Sequence, residues 1–194
     1  MPLKQHRSAE LVEARPKVYA KLESALRQAQ DYGEISEQGF FMLHYEDIIV
    51  GSKSSYGRYE VTREEVIEFA GKYDPQPFHL DDAAAAQTHF GRLSASGWHT
   101  GSMAMRMIVE NMKANRQAGL GSPGIDELRW LKPVYPGDTL RIESEVLSKR
   151  RSQSRPEMGM FRGRTTVFNQ DDVAVMTMVS TGLIRVRHPE VAGD

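Results

Sequence analysis

An α+β fold, an antiparallel sheet curled on one long helix, follows from three observations in the chain. From Gly97 to about Ala118, Met103, Met107, Ile108 and Met112 recur at helical spacing among small residues, the pattern of a long, mostly buried helix. After Gly119-Leu120-Gly121 the period changes. Ile125 to Val134, Leu140 to Leu147, Met160 to Phe168 and Val173 to Val186 alternate and carry β-branched residues, which predicts strands. Turn chemistry punctuates them at Tyr135-Pro136-Gly137-Asp138 and Asn169-Gln170-Asp171-Asp172. One buried helix followed by a run of strands is the order of an α+β domain.

The earlier elements follow in chain order. From Ser8 the chain is polar, with Val18, Leu22, Ala25, Leu26 and Ala29 spaced three to four apart. That predicts an amphipathic helical extension over residues 1–39, ahead of a single domain over 40–194. Pro16 fits its first turn or breaks a short preceding one, and Gly33 and Gly39 bracket its exit. Its polar face mixes Glu with Lys and Arg, so the apolar stripe is expected to pack on protein rather than on a membrane surface. Ile48-Ile49-Val50 and Tyr56 to Val61 read as short strands around Gly51 and Gly57. Thr62-Arg63-Glu64-Glu65 is a capping box that opens a helix through Ala70, with Gly71 as its stop. Asp82 through Gln87, with four alanines, reads as a short helix capped by Asp81 or Asp82.

Composition narrows the function classes. At 194 residues the chain is long enough for one well-buried domain. A formal net charge of -1 gives no global reason to expect nucleic acid or an anionic membrane as partner. No apolar run approaches the ~20 residues of a spanning helix and the first residues lack an apolar leader core, so cytoplasmic residence is expected. Zero cysteines excludes disulfides, thiolate catalysis and zinc sites built on Cys.

The chemistry concentrates in Tyr73-Asp74-Pro75-Gln76-Pro77-Phe78-His79-Leu80-Asp81 and Ser96-Gly97-Trp98-His99-Thr100. Asp74 and His79 stand five residues apart on a loop stiffened by two prolines, a carboxylate and an imidazole suited to general acid–base work. Gly97 opens the long helix and offers a bare backbone amide at the positive end of its dipole, a donor for a developing oxyanion. The bland alternative is a turn-capping Asp74 and a satisfied loop His79. These residues point to a site without naming its reaction.

The same motifs, with Phe90-Gly91 and Leu131-Lys132-Pro133-Val134-Tyr135-Pro136-Gly137-Asp138, resemble the MaoC-like dehydratases and (R)-specific enoyl-CoA hydratases. The resemblance runs from about Phe41 to Val186. It implies a hot-dog fold, a homodimer or assembly of dimers, and reversible hydration of a trans-2-enoyl thioester on coenzyme A or acyl carrier protein. Coenzyme A then enters as part of the substrate, and no other cofactor is implied. By the same resemblance Asp74 and His79 match the pair that activates water and delivers the proton, and Gly97 the glycine that polarises the thioester carbonyl. Gln76 departs from the family's Asn and Ser96 from its common His, while Trp98 and His99 are bulky at the helix mouth. All four are expected to contact substrate or orient the pair.

Other features are weighed against plainer roles. His79, His89 and His99 are spaced by tens, which matches no metal-ligand pattern, so no metal is expected. His99 either lines the acyl pocket or packs, and Met103 and Met107 are expected in the core. Lys149-Arg150-Arg151-Ser152-Gln153-Ser154-Arg155 is either a clamp for coenzyme A phosphates or carrier protein, drawing on Arg150 and Arg151, or a solvated loop. No aromatic residues interleave with these arginines, so nucleic acid is not expected. Two alternatives to the hydratase reading are a non-catalytic acyl-thioester-binding subunit and a thioesterase, since a fold does not fix a function.

Overall fold

The computed structural model describes residues 42–191, and the expected helix over 1–39 lies outside the described residues. Five strands form one antiparallel sheet: β1 (Lys53–Glu60), β2 (Gly119–Trp130), β3 (Thr139–Arg151), β4 (Met158–Phe168) and β5 (Ala174–Arg185), in the order β1-β3-β4-β5-β2. The helices are α1 (Arg63–Tyr73), the single turn α2 (Pro77–Leu80), the short α3 (Asp82–Ala86) and the central α4 (Gly97–Ala114). The sheet packs on α4, as expected of a hot-dog domain.

The core shows why these residues choose these elements. Met103, Ala104 and Met107 on one face of α4 are buried against Leu140 and Ile142 of β3, Val167 of β4 and Val175, Met176 and Met178 of β5. Alternation along β3 sends Leu140 and Ile142 to that face. β1 meets the helix at Gly57, where its register is irregular and φ is +80°. A Cβ there would lie 2.6 Å from Met107 Sδ, so only glycine lets helix and strand approach this closely. A smaller cluster of Tyr45, Ile48, Ala118, Ile184 and Val186 closes the other end of the domain.

Several boundaries differ from the expectation, each for a local reason. Ile48 to Val50 is no strand. A 3-10 turn at Tyr45–Asp47 leads into a tight turn at Gly51 (φ +83°), whose amide donates to Val146 O at 2.8 Å. α1 runs through Gly71 and ends where Asp74 leaves helical space (φ -150°, ψ 64°) ahead of Pro75, which disfavours a helical residue before it. Thr62 does cap it, accepting from the Glu65 amide. α4 stops at Ala114 because Arg116 turns left-handed (φ 47°). Gly119-Leu120-Gly121, expected to mark the change of period ahead of a strand from Ile125, instead starts β2, with register shifts at its glycines, the irregularity an edge strand tolerates.

Among the described residues β2 pairs with β5 alone, and its residues are almost all exposed. Ile125, Trp130 and the following Leu131 are bare, as are Trp98, Met105 and Val109 on α4. This apolar surface begins beside the amino end of the central helix.

Candidate active site

α1 delivers Asp74 as its C-cap, with the Asp74 amide donating to Ala70 O at 2.9 Å. The Gln76 amide folds back to Asp74 O at 2.7 Å, and Pro77 then occupies the first position of α2. The sequence predicts one stiff loop here. The structure makes its second half a helical turn, because proline's fixed φ suits a first helical residue that needs no amide. That turn carries His79 inward, to 4% exposure, against Phe78 and Phe90 at centroid distances of 4.6 and 5.8 Å.

Two contacts fix what the imidazole does. Nδ1 lies 2.7 Å from the carbonyl oxygen of Ser94, which can only accept, so Nδ1 carries a proton. In the neutral ring Nε2 is then the lone-pair nitrogen, and it stands 3.6 Å from Asp74 Oδ2. Sequence reasoning does not single out Ser94. Its only signal is the Ser-x-Ser pair just before the helix, and a main-chain acceptor leaves no mark in side-chain identity.

Both oxygens of Asp74 are held. Gln76 Nε2 donates to Oδ1 at 2.7 Å and Ser96 Oγ donates to Oδ2 at 2.6 Å. Partial burial works to raise its pKa, but the donors Ser96 and Gln76 and the nearby His79 outweigh it and hold the carboxyl below its ordinary value. The longer amide of Gln76 therefore reaches the carboxylate from two residues away. Ser96 is also the N-cap of α4, its hydroxyl accepting from the Trp98 amide at 3.2 Å.

Gly97 is the first residue of α4, and its amide has no hydrogen-bond partner among the described residues. The indole of Trp130 lies where a Cβ would be, with Cε2 at 2.5 Å. Trp98 projects outward, 60% exposed, edge-on to Trp130 at 5.2 Å between centroids. A helix dipole, a free amide and a carboxylate–imidazole pair thus converge at the amino end of α4.

His99, in the first turn of α4, is buried and lies flat on Phe69 of α1 at 4.6 Å and 8°. Burial pushes its pKa below the ordinary value, with Glu65 pulling the other way. It lines a cavity of about 280 Å³ between α1 and α4, together with Tyr59, Tyr73 and Met103. Arg150 and Arg151 are not brought to this centre within the subunit. They pair with Met160 and Gly159 at the far end of β3, whereas Thr139 at its near end faces Glu60, just before α1. Arg151 is committed to the carbonyls of Pro156, His188, Pro189 and Val191, which tie down the C-terminal segment.

Comparison with known proteins supplies the family. A MaoC-like dehydratase from Rhodospirillum rubrum superposes with a TM-score of 0.67 at 37% identity, covering 75% of this chain and 98% of that one. An R-hydratase from Pseudomonas aeruginosa gives 0.57 at 27% identity, covering 74% and 86%. Mesaconyl-CoA hydratase of Cereibacter sphaeroides is 38% identical over 96 residues, 44% of this chain but 27% of that protein, so this chain matches only part of that enzyme. The model of the MaoC like domain matches residues 50–167, most of the described sheet and the whole of the central helix. By that match, and by the close likeness in fold and sequence to the dehydratase, this chain belongs to the MaoC-like domain family.

Proposed function

We propose that this chain is an (R)-specific enoyl thioester hydratase, adding water reversibly to a trans-2-enoyl group carried on coenzyme A or acyl carrier protein. The observation that carries the reading is the Asp74–His79 pair facing a helix whose first amide is free. Addition of water to an enoyl thioester needs a base for the water, a proton for the α carbon and donors for the enolate oxygen. The Asp74–His79 pair and the Gly97 amide support the assignment of these three parts. The names of the Pseudomonas and Cereibacter proteins, an R-hydratase and a hydratase of a CoA ester, support the reaction type and its stereochemistry.

The protonation states divide the labour. Asp74, held ionised by two donors, binds and orients the water but carries no proton to give. The lone pair of His79 Nε2 takes the proton as the water oxygen attacks the β carbon. The resulting imidazolium, balanced by Asp74, returns that proton to the α carbon on the same face. The Gly97 amide and the α4 dipole stabilise the enolate oxygen meanwhile. The bare edge of β2 and the exposed face of α4 fit a second copy of the chain, and we propose a homodimer built there.

The test follows the conjugated enoyl thioester absorbance with the purified protein, and the configuration of the 3-hydroxy product on a chiral column. The parent should yield the (R) product, and Asp74→Asn and His79→Ala should each lose at least ~10²-fold in rate. Release of free thiol with the enoyl group intact would make the protein a thioesterase instead. Tight acyl-CoA binding with equal, negligible turnover in parent and variants would make it a binding subunit.

A further inference from the structure

A carbonyl oxygen has two lone pairs, and the Gly97 amide serves one of them. Trp130, the last residue of β2, brings a second donor to the same place. Its indole covers Gly97 with the pyrrole side. The three atoms nearest to where a Gly97 Cβ would lie are Cε2, Cδ2 and Nε1, the nitrogen at 2.8 Å. That point is one bond from the Cα that also bears the amide, so the two nitrogens stand no more than roughly 5.5 Å apart. Two donors, each about 2.9 Å from a shared oxygen, can be separated by up to about 6 Å, so one oxygen is within reach of both. In a helix the Cα–Cβ bond leans toward the amino end, where the first free amides also point. The indole therefore lies beside the path of a group approaching the Gly97 amide.

The indole nitrogen is uncommitted and its ring is held. It donates to nothing among the described residues. Trp130 is 46% exposed, so a ligand at the helix mouth can reach it. Trp98 meets the ring edge-on at 5.2 Å and 77°, and the Leu131 amide anchors the next residue by donating to Val175 O at 2.8 Å. A donor fixed before reaction stabilises developing charge without reorganising. Phenylalanine would also cover Gly97 but donate nothing, which separates the packing of this ring from its chemistry.

We propose that Trp130 is a second oxyanion donor, its Nε1–H and the Gly97 amide closing on the thioester oxygen from two sides. The inference rests on the hydratase reading and adds a catalytic residue to it. As the water oxygen bonds to the β carbon, the alkene electron pair moves through the α carbon onto the carbonyl oxygen, where both donors meet it. Protonation of the α carbon draws the pair back and re-forms the carbonyl.

The experiment compares the full chain with Trp130→Phe in two assays. In hydration of trans-2-butenoyl-CoA, kcat should fall by at least about 10-fold, with KM within about threefold of the parent. The second assay reads the infrared stretch of an isotope-labelled thioester carbonyl in bound butyryl-CoA, a saturated ester that cannot turn over. The band should lie lower on the parent than in water and move back up in Trp130→Phe. Benzothienylalanine in place of Trp130, which keeps the ring shape and exchanges N–H for sulfur, should show the same two losses even where phenylalanine packs poorly. An unchanged kcat, or a band that neither substitution moves, overturns the proposal. A band that shifts as expected with no hydration in the parent keeps the two-donor carbonyl site and removes the hydratase. Hydration in the parent with the same rate and band in both variants removes the indole donor alone.

Discussion

The Ser96 hydroxyl donates to Asp74 Oδ2 at 2.6 Å while accepting the Trp98 amide, so one oxygen both caps the central helix and steadies the carboxylate. Ser96→Ala removes both contacts. Loss of the cap should cost about 1 kcal/mol of stability, seen as a lower melting temperature. Without its donor the Asp74 pKa should rise, and the acid limb of the hydration pH–rate profile should move to higher pH. Ser96→Thr should restore both. An acid limb that stays in place in Ser96→Ala would detach Asp74 from the chemistry.

Gly97 has a steric reason to be glycine besides its amide. In Gly97→Ala the new methyl meets the Trp130 indole, and the ring has to move. Overpacking of this kind costs roughly 1–3 kcal/mol. Intrinsic tryptophan fluorescence should shift with the loss of stability, and Trp130→Ala in the same chain should recover part of it. Additive losses in the double variant would mean that the two residues do not collide.

His99 makes stability depend on pH in a defined direction. Its folded pKa lies below the ordinary 6.5, so above 6.5 the ring is neutral in both states and its contribution is complete. As pH falls through 6.5 the unfolded chain takes a proton that the folded one refuses, and stability declines until the lower folded value is passed. His99→Gln should flatten that decline. Urea midpoints of parent and variant between about pH 8 and pH 5 measure it, and parallel curves would show the ring to titrate alike in both states.

The open edge of β2 gives the assembly prediction. Ile125 is half exposed on a strand with one neighbour among the described residues, and a lysine there would charge the edge. Ile125→Lys should sediment as a monomer where the parent sediments as a dimer. A parent that is monomeric at micromolar concentration would remove the proposed interface.

Most of the architecture is legible in the sequence because it rests on periodicity. The methionine stripe of α4 announces its buried face, Thr62 and Glu65 announce the start of α1, and four alternating segments announce β2 to β5. Glycine misleads in both directions. Gly71 reads as a stop yet sits inside α1, while Gly119-Leu120-Gly121 reads as a break yet belongs to an edge strand. Asp74, His79 and Gly97 stand out by residue type and spacing, and the structure brings them together at one end of α4. Arg150 and Arg151 stand out by charge alone, and charge says nothing of which end of a strand it occupies. The partnership of His99 with Phe69, and of Gly97 with Trp130, joins residues 30 or more positions apart, beyond any local pattern.

The carbonyl that orients His79 belongs to the main chain of Ser94, not to its side chain. Mutational drift at that codon can therefore exchange the serine without taking the acceptor away, so long as the path of the chain survives. The tautomer of the imidazole is set through geometry instead of residue identity, and a chain altered at this position can keep the same ring protonation pattern.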